Sequence, residues 1–168
     1  MDQDLKDQAL KDRALKDEAL RQDRLKLVAL DKEDLEVVST HLQDAVVIVG
    51  EIVWLPAERR LVIPMCRFDW ESAVAATPQY RRRRAALRFE RVNAFKARDI
   101  DPAQKAVVLN LLAADFTETE PPGGQVLLTF SGGPALRLDV ECLEAELVDL
   151  GPEWTTVARP GHPEDETA

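Results

Sequence analysis

Apolar residues recur along this chain with two different periods. Leu35, Val38 and Leu42 fall at i, i+3 and i+7 behind Asp31, with Glu33 and Asp34 in the first turn. That spacing predicts one amphipathic helix over about 32–43, with Asp31 as its N-cap and carboxylates at its positive end. Elsewhere beyond Leu25 the period is closer to two, or the run is continuously apolar, and both patterns read as strand. Leu25 to Leu30 is a short first strand, and "AVVIVGEIVWL" is a strand buried on much of both faces. "PAERR" turns the chain into "LVIPMCRF", so 45–68 reads as a hairpin, with Pro64 marking an edge or a bulge. "DWESAVAATPQY" reads as a loop with a short helical turn. "RRRRAALRFERVNAF" places Leu87 and Phe89 on one strand face, with Arg84, Arg88 and Glu90 on the other. "KAVVLNLLAADF" fits a central strand, although its pattern also admits a helix. "QVLLTF" and "ALRLDVECL" flank "SGGP", a tight turn in which Gly132 and Gly133 can take positive φ. After Cys142 the apolar set shifts by one residue to Leu143, Ala145 and Leu147, which suggests a β-bulge.

The pattern therefore predicts an α+β chain that is mostly β. About seven strands form a curled antiparallel sheet, a partial barrel or two-layer sandwich, with one amphipathic helix. Outside it lies "LKDQALKDRALKDEAL", a five-residue unit repeated in tandem. Successive leucines at a step of five are about 140° apart on a helix, so Leu5, Leu10, Leu15 and Leu20 spiral and line no seam. Asp7–Lys11, Asp12–Lys16 and Asp17–Arg21 pair at i,i+4 and support a solvated or frayed helix. Residues 1–24 are thus expected to be a charged arm, either a tandem expansion without function or a docking arm. Residues 25–158 form one globular domain, and residues 159–168 an acidic disordered tail.

Charge changes the picture more than composition does. The net charge is −9, yet residues 58–105 carry twelve Lys and Arg against six Asp and Glu, and residues 106–168 carry two against twelve. Facing strands can compensate such segments, or a basic face can stay open for an acidic partner. No apolar run reaches the ~18 residues a membrane helix needs, and the charged N-terminus lacks the core of a secretion signal. Cys66 and Cys142 are too few for a disulfide framework and are expected as buried thiols, which makes the cytoplasm the expected compartment.

Several blocks in order carry a resemblance: "LVALDKEDLEVVSTHLQDAV", "RFDWE", "RRRRAALRFERV", "FSGGPALRLDVECLEAELVDLGPEW" and "RPGHP". Over roughly residues 25–163 the chain resembles the domain of unknown function 2948 family, small alphaproteobacterial proteins. The resemblance implies a stand-alone cytoplasmic domain and transfers no activity, cofactor or catalytic residue.

Candidate chemistry is sparse. His41 and His162 are the only histidines, and no metal-ligand spacing surrounds them, so no metal or cofactor is expected. Ser131 belongs to a turn, and no nucleophile motif or phosphate loop is present. Asp69 and Glu71 flank Trp70 beside Arg67, an arrangement that could shift a carboxyl pKa or form a buried ion pair. Arg81, Arg82, Arg83 and Arg84 form a basic stripe suited to an acidic protein partner. Nucleic acid is disfavoured by the acidic balance and by an aromatic content of 5 %. The leading reading is a non-catalytic protein-interaction or ligand-binding module, with a groove or patch near Trp54, Trp70 or Trp154. The alternative is a carboxylate-based hydrolase or isomerase using Asp69 or Glu71 with Arg67.

Overall fold

The computed structural model describes residues 2–22, 24–70 and 81–155. Helix α1 (Asp2–Gln22) precedes β1 (Lys26–Ala29), α2 (Lys32–Leu42), β2 (Ala45–Ile48), β3 (Val53–Leu55) and β4 (Arg60–Phe68). Then come β5 (Arg81–Phe89), β6 (Val92–Arg98), β7 (Val108–Glu118), β8 (Gly124–Phe130), β9 (Ala135–Val140) and β10 (Ala145–Thr155). The ten described strands form one antiparallel sheet, three more strands than the pattern suggests. Its order is β1-β10-β5-β4-β2-β7-β8-β9-β6, with β3 beside β4, and it does not close into a barrel.

Alternation explains the curl. Leu61, Ile63 and Met65 of β4, Leu87 and Phe89 of β5, Val126, Leu128 and Phe130 of β8, and Leu136 and Leu138 of β9 are all buried in one cluster. A sheet that buries one face of every strand in a common core must wrap around it. Leu35, Val38 and Leu42 of α2 complete that core. The α2 cap is reciprocal: Asp31 Oδ1 accepts the Asp34 N–H at 2.8 Å, and Asp34 Oδ2 accepts the Leu30 N–H at 3.1 Å. This satisfies donors that a helix start otherwise leaves open.

Three sequence expectations change in detail. "AVVIVGEIVWL" is not one strand, because a 3₁₀ turn at Val49–Glu51 divides it. The first half, β2, pairs mainly with β7, and only the second half, β3, forms a hairpin with β4. Pro64 lies between the β3 pairing at Val62 and the β2 pairing at Cys66, where β4 has no described partner on that side. "KAVVLNLLAADF" becomes a strand from Val108 onward, lying between β2 and β8 in line with the strand reading, and it carries its own register shift between Leu111 and Ala113. The Ala114 N–H just past that shift donates to Ser39 Oγ of α2 at 3.0 Å.

The face switch after Cys142 is a corner rather than a bulge. β9 ends at Val140 beside β6 and β8, and β10 starts at Ala145 beside β1 and β5. The Glu90 N–H donates to Glu144 O at 2.9 Å, and the Glu141 N–H to Arg91 O at 3.0 Å. The β5–β6 and β9–β10 connections therefore turn together. β10 continues through "GPEW" after a register shift between Asp149 and Glu153, and Glu153, Trp154 and Thr155 pair with Arg83, Arg82 and Arg81. The "SGGP" hairpin stands as expected, with Gly132 at φ 89° and Gly133 at φ 110°. Of the loop expected over residues 69–80, only Asp69 and Trp70 are described; residues 71–80 and the expected tail lie outside the described residues.

Candidate functional site

The most polar part of the interior grows out of three neighbouring strands. In β4 the inward positions run Leu61, Ile63, Met65 and then Arg67; in β5 they run Phe89, Leu87, Ala85 and then Arg83; in β10 they run Ala145, Leu147 and then Asp149. The order β10-β5-β4 brings these three charged ends together at one end of the core. Arg67 sits directly opposite Arg83, a like-charge pair that is unfavourable across strands.

Two aspartates neutralise it. Asp149 accepts a two-pronged contact from Arg67, Nε to Oδ1 at 2.7 Å and Nη2 to Oδ2 at 2.8 Å. Asp69, just past the end of β4, accepts from Arg83 Nε at 2.8 Å, and Asp149 Oδ2 lies 4.0 Å from that same Nε. All four residues are buried, with exposures of 1–4 %. Asp149 also ties in the start of the sheet: its Oδ2 accepts the Leu25 N–H at 2.9 Å, and its own N–H donates to Leu25 O. The segment after β4 is anchored as well. Trp70 Nε1 donates to Gln43 O at 3.1 Å, and the Trp70 ring meets Phe68 edge-on at 4.7 Å.

A second charged group lies at the double corner. An open hollow of about 460 Å³ is lined by Glu58, Arg59, Arg60, Arg88, Glu90, Arg91 and Glu144. Arg60 contacts Glu90 at 2.6 Å and Glu58 at 3.3 Å, Arg91 contacts Glu144 at 3.2 Å, and Arg88 contacts Glu146 at 3.3 Å. The hydrogen bond Arg60 donates to Glu90, then the charge of Glu90, pushes the Arg60 pKa up; the hydrogen bond Arg91 donates to Glu144 is the first cause of the same shift at Arg91. Arginine is protonated at any working pH, so the hollow keeps its cations.

The residues expected from sequence divide between several places. Arg67 and Asp69 join the buried group, and the bidentate partner of Arg67 is Asp149, a residue that no motif in the sequence singles out. The Arg81–Arg84 stripe is divided by strand alternation. Arg83 faces inward, Arg82 is half-buried with its guanidinium 5.9 Å from the Phe68 ring centroid, and Arg84 is exposed. Glu71 lies outside the described residues, as do the side chains of Arg81 and Trp154 and all of His162. Trp54 is half-buried and meets Phe95 edge-on at 5.2 Å. Parity is the available signal: Asp149 shares it with Leu147, and Arg83 with Leu87.

Among the described residues, no group of three or more His, Cys, Asp or Glu is placed to hold a metal ion, and no helix is long and apolar enough to cross a membrane. As arranged, the buried group has two acids acting as hydrogen-bond acceptors to two arginines, which is an arrangement for fixing strand ends.

No curated protein and no solved structure matches the chain. A family match begins at Leu25, the residue Asp149 holds, and leaves α1 outside. Over residues 25–162 the chain matches the family described as Protein of unknown function (DUF2948), and it belongs to that family.

Proposed function

We infer that the chain is a non-catalytic interaction module of the cytoplasm, working through its surface. The observation that carries this reading is the state of Asp69. It is the described member of the acid pair an enzyme reading would use, and it is buried against Arg83 at 2.8 Å. A general acid or base needs reach to a substrate proton and a pKa near the working pH. A buried carboxylate that already accepts from a guanidinium is placed to anchor a strand end. The sheet, by contrast, is open and ends in a long exposed strand, β6.

The test pairs activity with stability. The wild-type chain and an Asp69→Asn variant are assayed against chromogenic carboxylic esters, phosphoesters and glycosides, and both are melted. The module reading expects no turnover by either protein and a lower melting temperature for the variant. Turnover that disappears in Asp69→Asn at an unchanged melting temperature would sink it in favour of the carboxylate enzyme.

A further inference from the structure

The ends of the open sheet differ. β1 is four residues long and has α2 packed beside it. β6 is seven residues long, and among the described strands it pairs only with β9. Its first residue is tied on the outer side, where the Val92 N–H donates to Arg59 O at 2.9 Å. Beyond Val92, among the described residues, nothing takes the outward backbone groups of β6. Phe95 packs inward against Trp54, so the strand is held in place by its inner face.

The outer face beside that edge has an uncompensated charge. Lys96 stands directly opposite Arg137 of β9, and Arg98 follows on the same face. Arg98 donates to Gly133 O at 3.1 and 3.2 Å, a neutral acceptor. Arg137 is half-buried, and its Nε is buried without a hydrogen-bond partner. Asp139 and Asp99 stand nearby, yet neither forms an ion pair with the three cations. Among the described strand pairings, like charges face each other at Arg67–Arg83 and at Lys96–Arg137. Two aspartates answer the first pair, whereas none of the described residues answers the second.

We propose that the outer edge of β6 receives an extended acidic segment of a partner protein as an added strand, its carboxylates lying over Lys96, Arg98 and Arg137. The proposal rests on the interaction-module reading and names its surface and partner. An unpaired strand edge supplies main-chain donors and acceptors, and alternate side chains of the incoming segment supply selectivity. The cationic row selects carboxylates and repels a second copy of the same edge. A nucleic acid could answer the charge but has no main chain to continue the strand ladder.

The test uses the full chain and a fluorescein-labelled peptide of alternating glutamate and threonine, read by anisotropy and by ¹⁵N amide shifts. Expected are binding weakened by salt, shifts centred on residues 94–98, and an affinity at least about tenfold lower in Lys96→Glu and in Arg137→Gln. N-methylation of alternate peptide amides should abolish binding in one phase of alternation and spare it in the other, because only one edge of the peptide faces β6. Four results would overturn the proposal: no binding, loss on neither or on both methylation patterns, oligo-dT binding as tightly through the same cations, or shifts elsewhere with full affinity in Lys96→Glu. The last would leave the module reading standing. Ester or phosphoester turnover lost in Asp69→Asn would remove that reading by a separate route.

Discussion

Arg67 with Arg83 and Lys96 with Arg137 present the same local problem, two cations facing each other across neighbouring strands, and among the described residues the fold resolves only the first. The difference is solvent. Arg67 and Arg83 are 1 % and 4 % exposed, where an unanswered charge costs several kcal/mol, and Asp149 from β10 and Asp69 from just past β4 answer it. Lys96 is exposed, and water with dissolved ions screens it at little cost. Burial forces charges to be settled within the chain, while exposure lets them be held open for something else.

The largest effect should come from breaking the buried solution. Asp149→Ala leaves the Arg67 guanidinium buried without its bidentate partner and frees the Leu25 N–H. A loss of about 3–5 kcal/mol is expected from urea denaturation. A loss below about 1 kcal/mol would mean that water reaches the cluster and that the comparison with Lys96 fails. Removing both charges sharpens the point. Arg67→Met with Asp149→Asn keeps an acceptor for Leu25 and takes out the ion pair, so most of the single-variant loss should be recovered, with a coupling of about 1–3 kcal/mol in the double-mutant cycle. Strictly additive losses would show that the two side chains matter separately.

How much of this is legible in the sequence depends on whether the signal is local. The α2 cap and apolar face, the "SGGP" hairpin and the inward set of β5 all follow from neighbours a few positions apart, and all are found. The corner at Glu141–Glu144 looks like a bulge in the sequence because both shift the apolar parity by one residue. Only the pairing partners distinguish them, and those lie far away in the chain. The turn at Val49–Glu51 is hidden because an apolar, β-branched run gives no sign of a break within it. Arg81–Arg84 reads as one stripe because like letters in a row suggest one surface. Strand alternation divides them, and Leu87 fixes the parity that sends Arg83 inward. That Arg67, Arg83 and Asp149 meet depends on strand order, which no local pattern carries.

The second pair, exposed at Lys96 and half-buried at Arg137, makes the opposite, smaller prediction. Lys96→Glu turns a like-charge cross-strand pair into an opposite-charge one, with the new carboxylate facing Arg137. Stability should rise by about 0.2–1 kcal/mol at low salt, and the gain should fade near 1 M salt. A drop in stability would show that Lys96 already has a favourable role within the folded chain, and with that the argument for an open cationic row would go. The same substitution should weaken the acidic peptide, so a gain in stability accompanied by a loss in binding is the combination that separates a surface kept for a partner from an ordinary solvated face.

At the far end of the exposure scale stands α1, whose described side chains, residues 3–16, are all exposed. Leu5, Leu10 and Leu15 are 71 %, 64 % and 65 % exposed, since a step of five residues turns each leucine onto a new side of the helix. The family match starts only at Leu25. Deleting residues 1–23 keeps Leu25, whose N–H and C=O both bind Asp149. Such a deletion should leave the melting temperature within about two degrees, because segments that bury little apolar surface add little to global stability. A fall of about ten degrees would correspond to a few kcal/mol lost in a domain of this size, and would show that the arm's leucines find a surface on the domain. In that case the arm would be a competitor for the open edge of β6, and peptide binding should tighten when the arm is removed. An unchanged melting temperature with unchanged peptide affinity would place the arm outside both the fold and its binding surface.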